Sequence, residues 1–262
     1  MDDHSASVDS SGRTPASRLS HPASRLVLFD IDGTILSTDG AAKRAFHRAM
    51  LEVFAGAGPI EGHDFSGKTD PQIARELLTL HGLGTSEIDA GLVALWSVYL
   101  RELEAELARP EHRSVLMPGV VALLDALADR HGDVLVGLLT GNIEPGARLK
   151  LASVGLADRF AFGAYGSDAE RRDALPAVAI ARAEHHCGRR FQGEDVVVVG
   201  DTPHDVTCGR ALGVRALAVA TGRHSPAQLT AAGADIVLDD LSDTAHVLNL
   251  LTRPLSRTGR TE

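Results

Sequence analysis

The sequence predicts an α/β fold, a doubly wound parallel sheet with an inserted α-helical domain, and three observations predict it. Short, continuously apolar runs recur along the chain, as in strands buried on both faces of a parallel sheet. Segments with helical spacing lie between them, which is the alternation of βαβ units. One long stretch, residues 38–113, breaks that alternation by offering helix after helix without a convincing strand.

The first run, Leu26-Val27-Leu28-Phe29, ends in Asp30 and reads as a central strand. Runs at 134–139, 196–199 and 214–219 repeat the theme, 236–238 makes a short fifth, and 160–165 is strand-like. Helical patterns at 120–130, 145–154, 176–186, 204–212 and 226–232 fill the intervals. Within the insertion, the last helix carries Ile88, Leu92, Leu95, Tyr99 and Leu103 at a spacing of three or four, with Glu102, Glu104 and Glu106 displayed elsewhere on it. Trp96 and Tyr99 are read as the core of the insertion, the alternative being an aromatic pair that faces a substrate. Pro118-Gly119 then returns the chain to the sheet. The expected division is a core of 25–37 and 114–252, a helical cap of 38–113, a disordered N-terminal arm of 1–24 and a flexible tail of 253–262.

The chain has 262 residues, 44% hydrophobic, which is enough to bury one α/β core carrying a smaller inserted domain. Acidic residues outnumber basic ones by 35 to 26, for a net charge of −9, and no Lys/Arg-rich run offers a surface for a polyphosphate backbone. Nucleic acid is therefore not an expected partner. Cys187 and Cys208 lie far apart and in no metal-binding pattern, so they are expected as reduced thiols of a cytoplasmic protein. No stretch approaches the roughly 18 apolar residues of a membrane span, so no membrane partner is expected. Monomer and homodimer both stay open.

Ligands of open α/β sheets bind beyond the carboxyl ends of the strands. Those ends are unusually polar here. The first strand runs into Asp30-Ile31-Asp32-Gly33-Thr34, the second into Thr140-Gly141-Asn142, and the run at 196–199 into Gly200-Asp201-Thr202-Pro203-His204-Asp205. Parallel strands would converge three or four carboxylates and a hydroxyl on one small volume. Like charges held that close disfavour joint ionisation unless a cation lies among them. Mg²⁺ suits the set, because it takes oxygen ligands and commonly uses one or two carboxylates together with a substrate phosphate. Taken singly, Asp30 or Asp201 could be a helix cap or a turn residue, but caps require neither a second Asp two residues on nor a matching Asp-x-x-x-Asp.

The motifs Asp30-Ile31-Asp32-Gly33-Thr34, Thr140, and Gly200-Asp201 with Asp205 resemble the signature of the haloacid dehalogenase-like hydrolase superfamily. The resemblance covers residues 25–250 and implies a Rossmann-like core with a helical cap, as in phosphoglycolate phosphatase-like members. It implies that Asp30 is the nucleophile of a phosphatase, forming an aspartyl-phosphate, and that Asp32 protonates the leaving oxygen and later activates water. By the same resemblance Asp30, the backbone carbonyl of Asp32 and Asp201 hold Mg²⁺, with Asp205 orienting its waters. Thr140 and the backbone of the 32–34 turn, with Gly33 and Thr34, would contact the phosphoryl oxygens, beside Gly141 and Asn142. The implied substrate is a small phosphorylated metabolite, phosphoglycolate-like or a sugar phosphate.

The family also uses a basic residue, commonly a lysine before proline, and here the chain departs from it. The segment 166–173 offers Arg171 and Arg172 and no lysine; Arg172 is the choice, with Arg171 close behind, against two solvated arginines. Gly67-Lys68-Thr69-Asp70 resembles a cap substrate loop, in which Lys68 either reaches a carboxylate or hydroxyl of the substrate or lies exposed beside a helix N-cap at Asp70. His185-His186-Cys187 reads as a surface helix end, since adjacent helical residues point apart. His204 is read as facing solvent.

Dehalogenase chemistry is disfavoured, because a metal-free halide displacement needs neither Asp32 nor the further carboxylates. Thr34 favours a phosphatase over a phosphosugar mutase by a thin margin. A phosphonate hydrolase using Lys68 is a third choice. From a different class comes a non-catalytic regulator that binds a phosphometabolite.

Overall fold

The computed structural model describes residues 24–130 and 132–252. The expected arm and tail lie outside the described residues, except for Ser24, whose N–H and Oγ both donate to the Asp133 carbonyl.

Six parallel strands form the sheet, in the order β5-β4-β1-β6-β7-β8. They are β1 Arg25–Phe29, β4 Val134–Leu139, β5 Gly163–Ala164, β6 Val196–Gly200, β7 Arg215–Val219 and β8 Ile236–Leu238. β1 lies in the middle because both its faces are apolar. Val27 and Phe29 pack with Leu123, Leu151 and Val247 on one side, while Leu26 and Leu28 pack with Leu175, Ala179 and Ala183 on the other. The first side is built by helices α4 Val120–Ala128, α5 Glu144–Ala152 and α9 Thr244–Thr252, the second by α6 Leu175–Cys187. Leu28 is fully buried, so Leu28→Ala is expected to cost about 2–5 kcal/mol, read as a lower urea midpoint at an unchanged slope.

The chain leaves β1 for β4 and β5 on one side and for β6, β7 and β8 on the other, so the topological switch point adjoins β1. In register, Phe29 pairs with Leu138 and with Val199. The residues just past these three positions, Asp30, Thr140 and Asp201, therefore emerge at the same edge of the sheet.

Residues between β1 and β4 fold as helices α1 Ala41–Phe54, α2 Asp70–Leu80 and α3 Thr85–Leu107 around a separate core containing Phe46, Met50, Leu77, Leu95 and Tyr99. Tyr99 is fully buried, edge-on to Phe46 at 5.3 Å and to Trp96 at 6.5 Å. A two-residue antiparallel ribbon, β2 Leu36–Ser37 with β3 Val115–Leu116, carries the chain into and out of this unit. Such short strands show no sequence period. The N-cap of α2 is Thr69 rather than Asp70: its Oγ1 accepts from the Gln72 N–H at 3.2 Å, with Pro71 in the first turn. Glu106 faces inward, where Arg44, Arg48 and Arg109 donate to it at 2.7–2.9 Å. Burial pushes its pKa up, but the three guanidinium hydrogen bonds outweigh that and hold it down to about 2.

Other elements are shorter than their patterns suggest. The 204–212 helix is α7 Pro203–Cys208 followed by a 3₁₀ turn, and the strand-like 160–165 segment keeps only β5, with Phe160 and Phe162 turned into the core. α8 is Pro226–Ala231. Among the described residues no helix is long and apolar enough to cross a membrane.

Candidate active site

The carboxyl ends of β1 and β6 bring Asp30, Asp201 and Asp205 together, with one oxygen of each within 4.8 Å of the others. All three are buried. Asp205 is fixed by a reciprocal cap: its Oδ2 accepts from the Thr202 N–H at 3.0 Å and the Thr202 hydroxyl at 2.7 Å. Gly200 makes room for it, since a Cβ there would come within 2.2 Å of the Asp205 Cγ. Asp201 accepts from the Thr34 hydroxyl at 3.1 Å.

Arg172 is the cation nearest these acids. Its guanidinium is buried and donates to Asp30 Oδ1 at 3.0 Å and to Asp205 Oδ1, with a longer contact of 3.4 Å to the Leu139 carbonyl. Its Nε has no protein partner among the described residues. Arg171, one residue earlier, points to solvent and pairs with Asp173.

The turn after Asp30 is shaped by Gly33, whose φ of +85° favours glycine. A Cβ at Gly33 would meet Asp201 Oδ2 at 2.4 Å. Gly33→Ala is therefore expected to displace the Asp201 carboxylate and lower turnover about 100-fold, measured as kcat beside an unchanged far-UV circular dichroism spectrum.

Asp32, two residues past Asp30, lies at the cavity with a half-exposed side chain. It is held by residues from the next strand and helix. Lys150 Nζ donates to both its oxygens, at 2.9 and 2.7 Å, and Asn142 Nδ2 donates to Oδ2 at 2.7 Å. Asn142 is in turn fixed by Thr140, whose Oγ1 accepts from its Nδ2 at 2.8 Å, and by Lys150, which donates to its Oδ1 at 2.5 Å. Lys150 is the residue that sequence reasoning missed. The signal was present: it occupies the apolar face of α5 beside Ala147 and Leu151, where a lysine has no reason to be without a partner.

The helical unit closes over these groups and encloses a cavity of about 350 Å³. Its contact with the core combines backbone and side-chain hydrogen bonds. The Asp70 N–H donates to the Gly141 carbonyl at 2.7 Å, the Ile143 N–H to Asp70 Oδ2 at 2.9 Å, and the Thr69 hydroxyl to the Glu170 carbonyl at 2.5 Å. Gly141 permits the approach, since a Cβ there would lie 2.0 Å from the Lys68 carbonyl oxygen. Lys68 lines the cavity, but its ammonium is tied to Glu76 at 2.6 Å. His204 is exposed, and His186 stacks obliquely on Phe162 at 5.6 Å. Among the described residues, the three aspartates are the one group placed to hold a metal ion.

Burial dominates the electrostatics. It pushes Asp30 up to about 7, against the opposing pull of Arg172 and with the push of Asp205 and Asp32. It pushes Asp201 up to about 8, reinforced by Asp205 and Asp30. Three buried carboxylates share one guanidinium, so the site is short of positive charge. An all-oxygen donor set that crowded fits a small hard cation such as Mg²⁺.

Comparison with known proteins agrees with this geometry. The family model described as haloacid dehalogenase-like hydrolase matches residues 27–210. A phosphoglycolate phosphatase of Rhodospirillum rubrum is 27% identical over 219 residues, covering 83% of this chain and 88% of that protein. Tyrosine-protein kinase PtkA of Mycobacterium tuberculosis is 30% identical over 199 residues, covering 76% of this chain but only 62% of that longer protein. In fold, a hydrolase from Pseudomonas syringae superposes with a TM-score of 0.66 at 18% identity, over 88% of this chain and 100% of that one. The matched span takes in β1, β4 and β6 with every acid of the cluster, and on that ground the chain belongs to the haloacid dehalogenase-like hydrolases.

Proposed function

We propose that the chain is a Mg²⁺-dependent phosphatase of a small phosphorylated metabolite, phosphoglycolate-like or a sugar phosphate, and that it works through a phosphorylated Asp30. The observation that carries this reading is the placement of two carboxylates of different character on one turn. Asp30 is buried against Arg172, while Asp32 is half-exposed at the cavity and held by Lys150 and Asn142. A nucleophile needs the first environment and a proton carrier the second.

Asp30 attacks phosphorus as its carboxylate, the bond from phosphorus to the leaving oxygen breaks, and Asp32 gives that oxygen its proton. Asp32, now a carboxylate, takes a proton from water as the water attacks the phosphorus of the aspartyl-phosphate. Phosphate then departs and Asp30 is restored. Arg172 stays beside Asp30 throughout and keeps a positive charge next to the attacking carboxylate. The Thr140 hydroxyl and the N–H groups of the 32–34 turn offer further donors. Asp30, Asp201 and the Asp32 carbonyl would hold Mg²⁺, with Asp205 nearby; when bound, the ion neutralises the phosphoryl oxygens. A cavity near 350 Å³ suits a metabolite rather than a folded protein.

The test is phosphate release from a panel of small phosphomonoesters with Mg²⁺ and with EDTA. Release that needs Mg²⁺ is expected. Transfer of phosphate from ATP to tyrosine, with no release from any panel member, would overturn the reading, and so would an isomerised sugar phosphate as the product.

A further inference from the structure

We infer that Lys150 is the positioning residue of the acid–base carboxylate: it fixes Asp32 in the orientation that reaches the leaving oxygen, without touching substrate itself. The inference rests on the proposed role of Asp32 and goes beyond it by naming what holds that side chain in place.

Lys150 is 3% exposed, whereas the side chain of Asp32 is 45% exposed. A half-exposed aspartate on a turn has several rotamers open to it, and solvent alone does not choose among them. Here the choice is made from below. Nζ reaches Asp32 Oδ1 at 2.9 Å, Asp32 Oδ2 at 2.7 Å and Asn142 Oδ1 at 2.5 Å. An ammonium has three protons, and these three acceptors use them all. Lys150 therefore has no donor left for a substrate carboxylate or phosphoryl group, which separates it from a binding lysine. Asn142 closes the arrangement, because its Nδ2 donates to the same Asp32 Oδ2 and to Thr140 Oγ1. Two oxygens gripped by one buried cation define the plane of the carboxylate. When one oxygen turns to the leaving group, the other stays on Nζ.

Burying a lysine costs several kcal/mol unless its partners are well placed, and an apolar residue would fit the face of α5 between Ala147 and Leu151. Asp70, on the cap side, accepts from the Ile143 N–H rather than from Lys150 in the described hydrogen bonds. The ammonium is thus committed to Asp32 and Asn142, not to joining cap and core.

The experiment compares Lys150→Met, Lys150→Arg, Asn142→Ala and Asp32→Asn on two phosphomonoesters. One has an alkyl leaving group that needs a proton, and 4-nitrophenyl phosphate has a leaving group that does not. Lys150→Met is expected to lower kcat about 100-fold on the alkyl ester, with KM changed less than about threefold. On 4-nitrophenyl phosphate it should give a burst of one nitrophenolate per site, because phosphorylation of Asp30 stays fast and only water attack is slowed. Lys150→Arg should recover part of the loss. Asn142→Ala removes one of the ties and should show the same pattern more weakly, so the test survives if Lys150→Met does not fold. Absence of that burst, with phosphorylation slowed as much on 4-nitrophenyl phosphate as on the alkyl ester, or a loss confined to KM, would overturn the inference while Asp32→Asn still shows the leaving-group dependence. If Asp32→Asn itself lacks that dependence, the acid–base reading of Asp32 fails instead.

Discussion

Asp30→Asn is expected to lower phosphate release by about 10⁴-fold or more, while the metal-free protein becomes more heat-stable. The first half follows from the proposed role: an amide does not attack phosphorus, so the aspartyl-phosphate cannot form at residue 30. The second half follows from burial. Asp30 is pushed up to about 7 chiefly because its charge is held away from water, so an isosteric neutral side chain relieves a cost that the fold bears in the absence of a cation. Arg172 is not stranded by the change, since Asp205 still accepts from it. Single-turnover phosphate release and thermal unfolding in EDTA read the two halves separately. A variant that keeps a tenth of the wild-type rate would remove Asp30 from the role of nucleophile. A variant that loses activity and also stability would mean that the charge at residue 30 is needed to hold Arg172.

Much of this architecture was legible because the sheet is buried on both faces. A run such as Leu26 to Phe29 has no polar alternation to confuse it with a surface strand, and its end is marked by an abrupt aspartate. The same abruptness at Thr140 and at Gly200-Asp201 located the site, since the fold delivers the ends of adjacent parallel strands to one place. The acids could be read from the chain because strand ends carry them.

What could not be read depends on contacts between distant segments. Arg171 and Arg172 are neighbours with identical chemistry, and only the 3₁₀ turn Arg172–Ala174 before α6 sends one inward to Asp30 and the other to solvent. Lys150 is 118 residues from Asp32, and its place on an apolar helix face says that it has a partner without saying which one. Glu106 looked like one of three outward acids on α3, yet Arg44 and Arg48 of α1 turn it into a buried ion cluster. Each is a charge whose position is set by an opposite charge elsewhere in the chain, and periodicity carries no record of that pairing.

Removing divalent ions is expected to make the protein's stability fall with rising pH, the reverse of ordinary acid denaturation. A carboxyl in an unfolded chain titrates near 4, whereas Asp30 titrates at about 7 and Asp201 at about 8 in the folded protein, chiefly through burial. Between those limits the folded state holds more protons than the unfolded one, so each step up in pH favours unfolding. The full stability is present below about pH 4 as far as these two groups are concerned, and it is lost by the time Asp201 ionises. For the pair the loss is on the order of 10 kcal/mol. Bound Mg²⁺ reverses the preference, because a cation favours the ionised carboxylates, and its binding near neutral pH must release protons. Thermal midpoints between about pH 5.5 and pH 8.5 should therefore slope downward in EDTA and flatten in millimolar Mg²⁺, and the heat of Mg²⁺ binding should vary with the ionisation enthalpy of the buffer. The double variant Asp30→Asn, Asp201→Asn isolates the cause, because it removes both groups and should flatten the slope in EDTA above about pH 7, leaving below that only the share of Asp70, which burial pushes up to about 6. A wild-type slope in EDTA no steeper than that of the double variant would mean that the two carboxyls do not bind excess protons in the folded state, and the case for a site short of positive charge would fall with it.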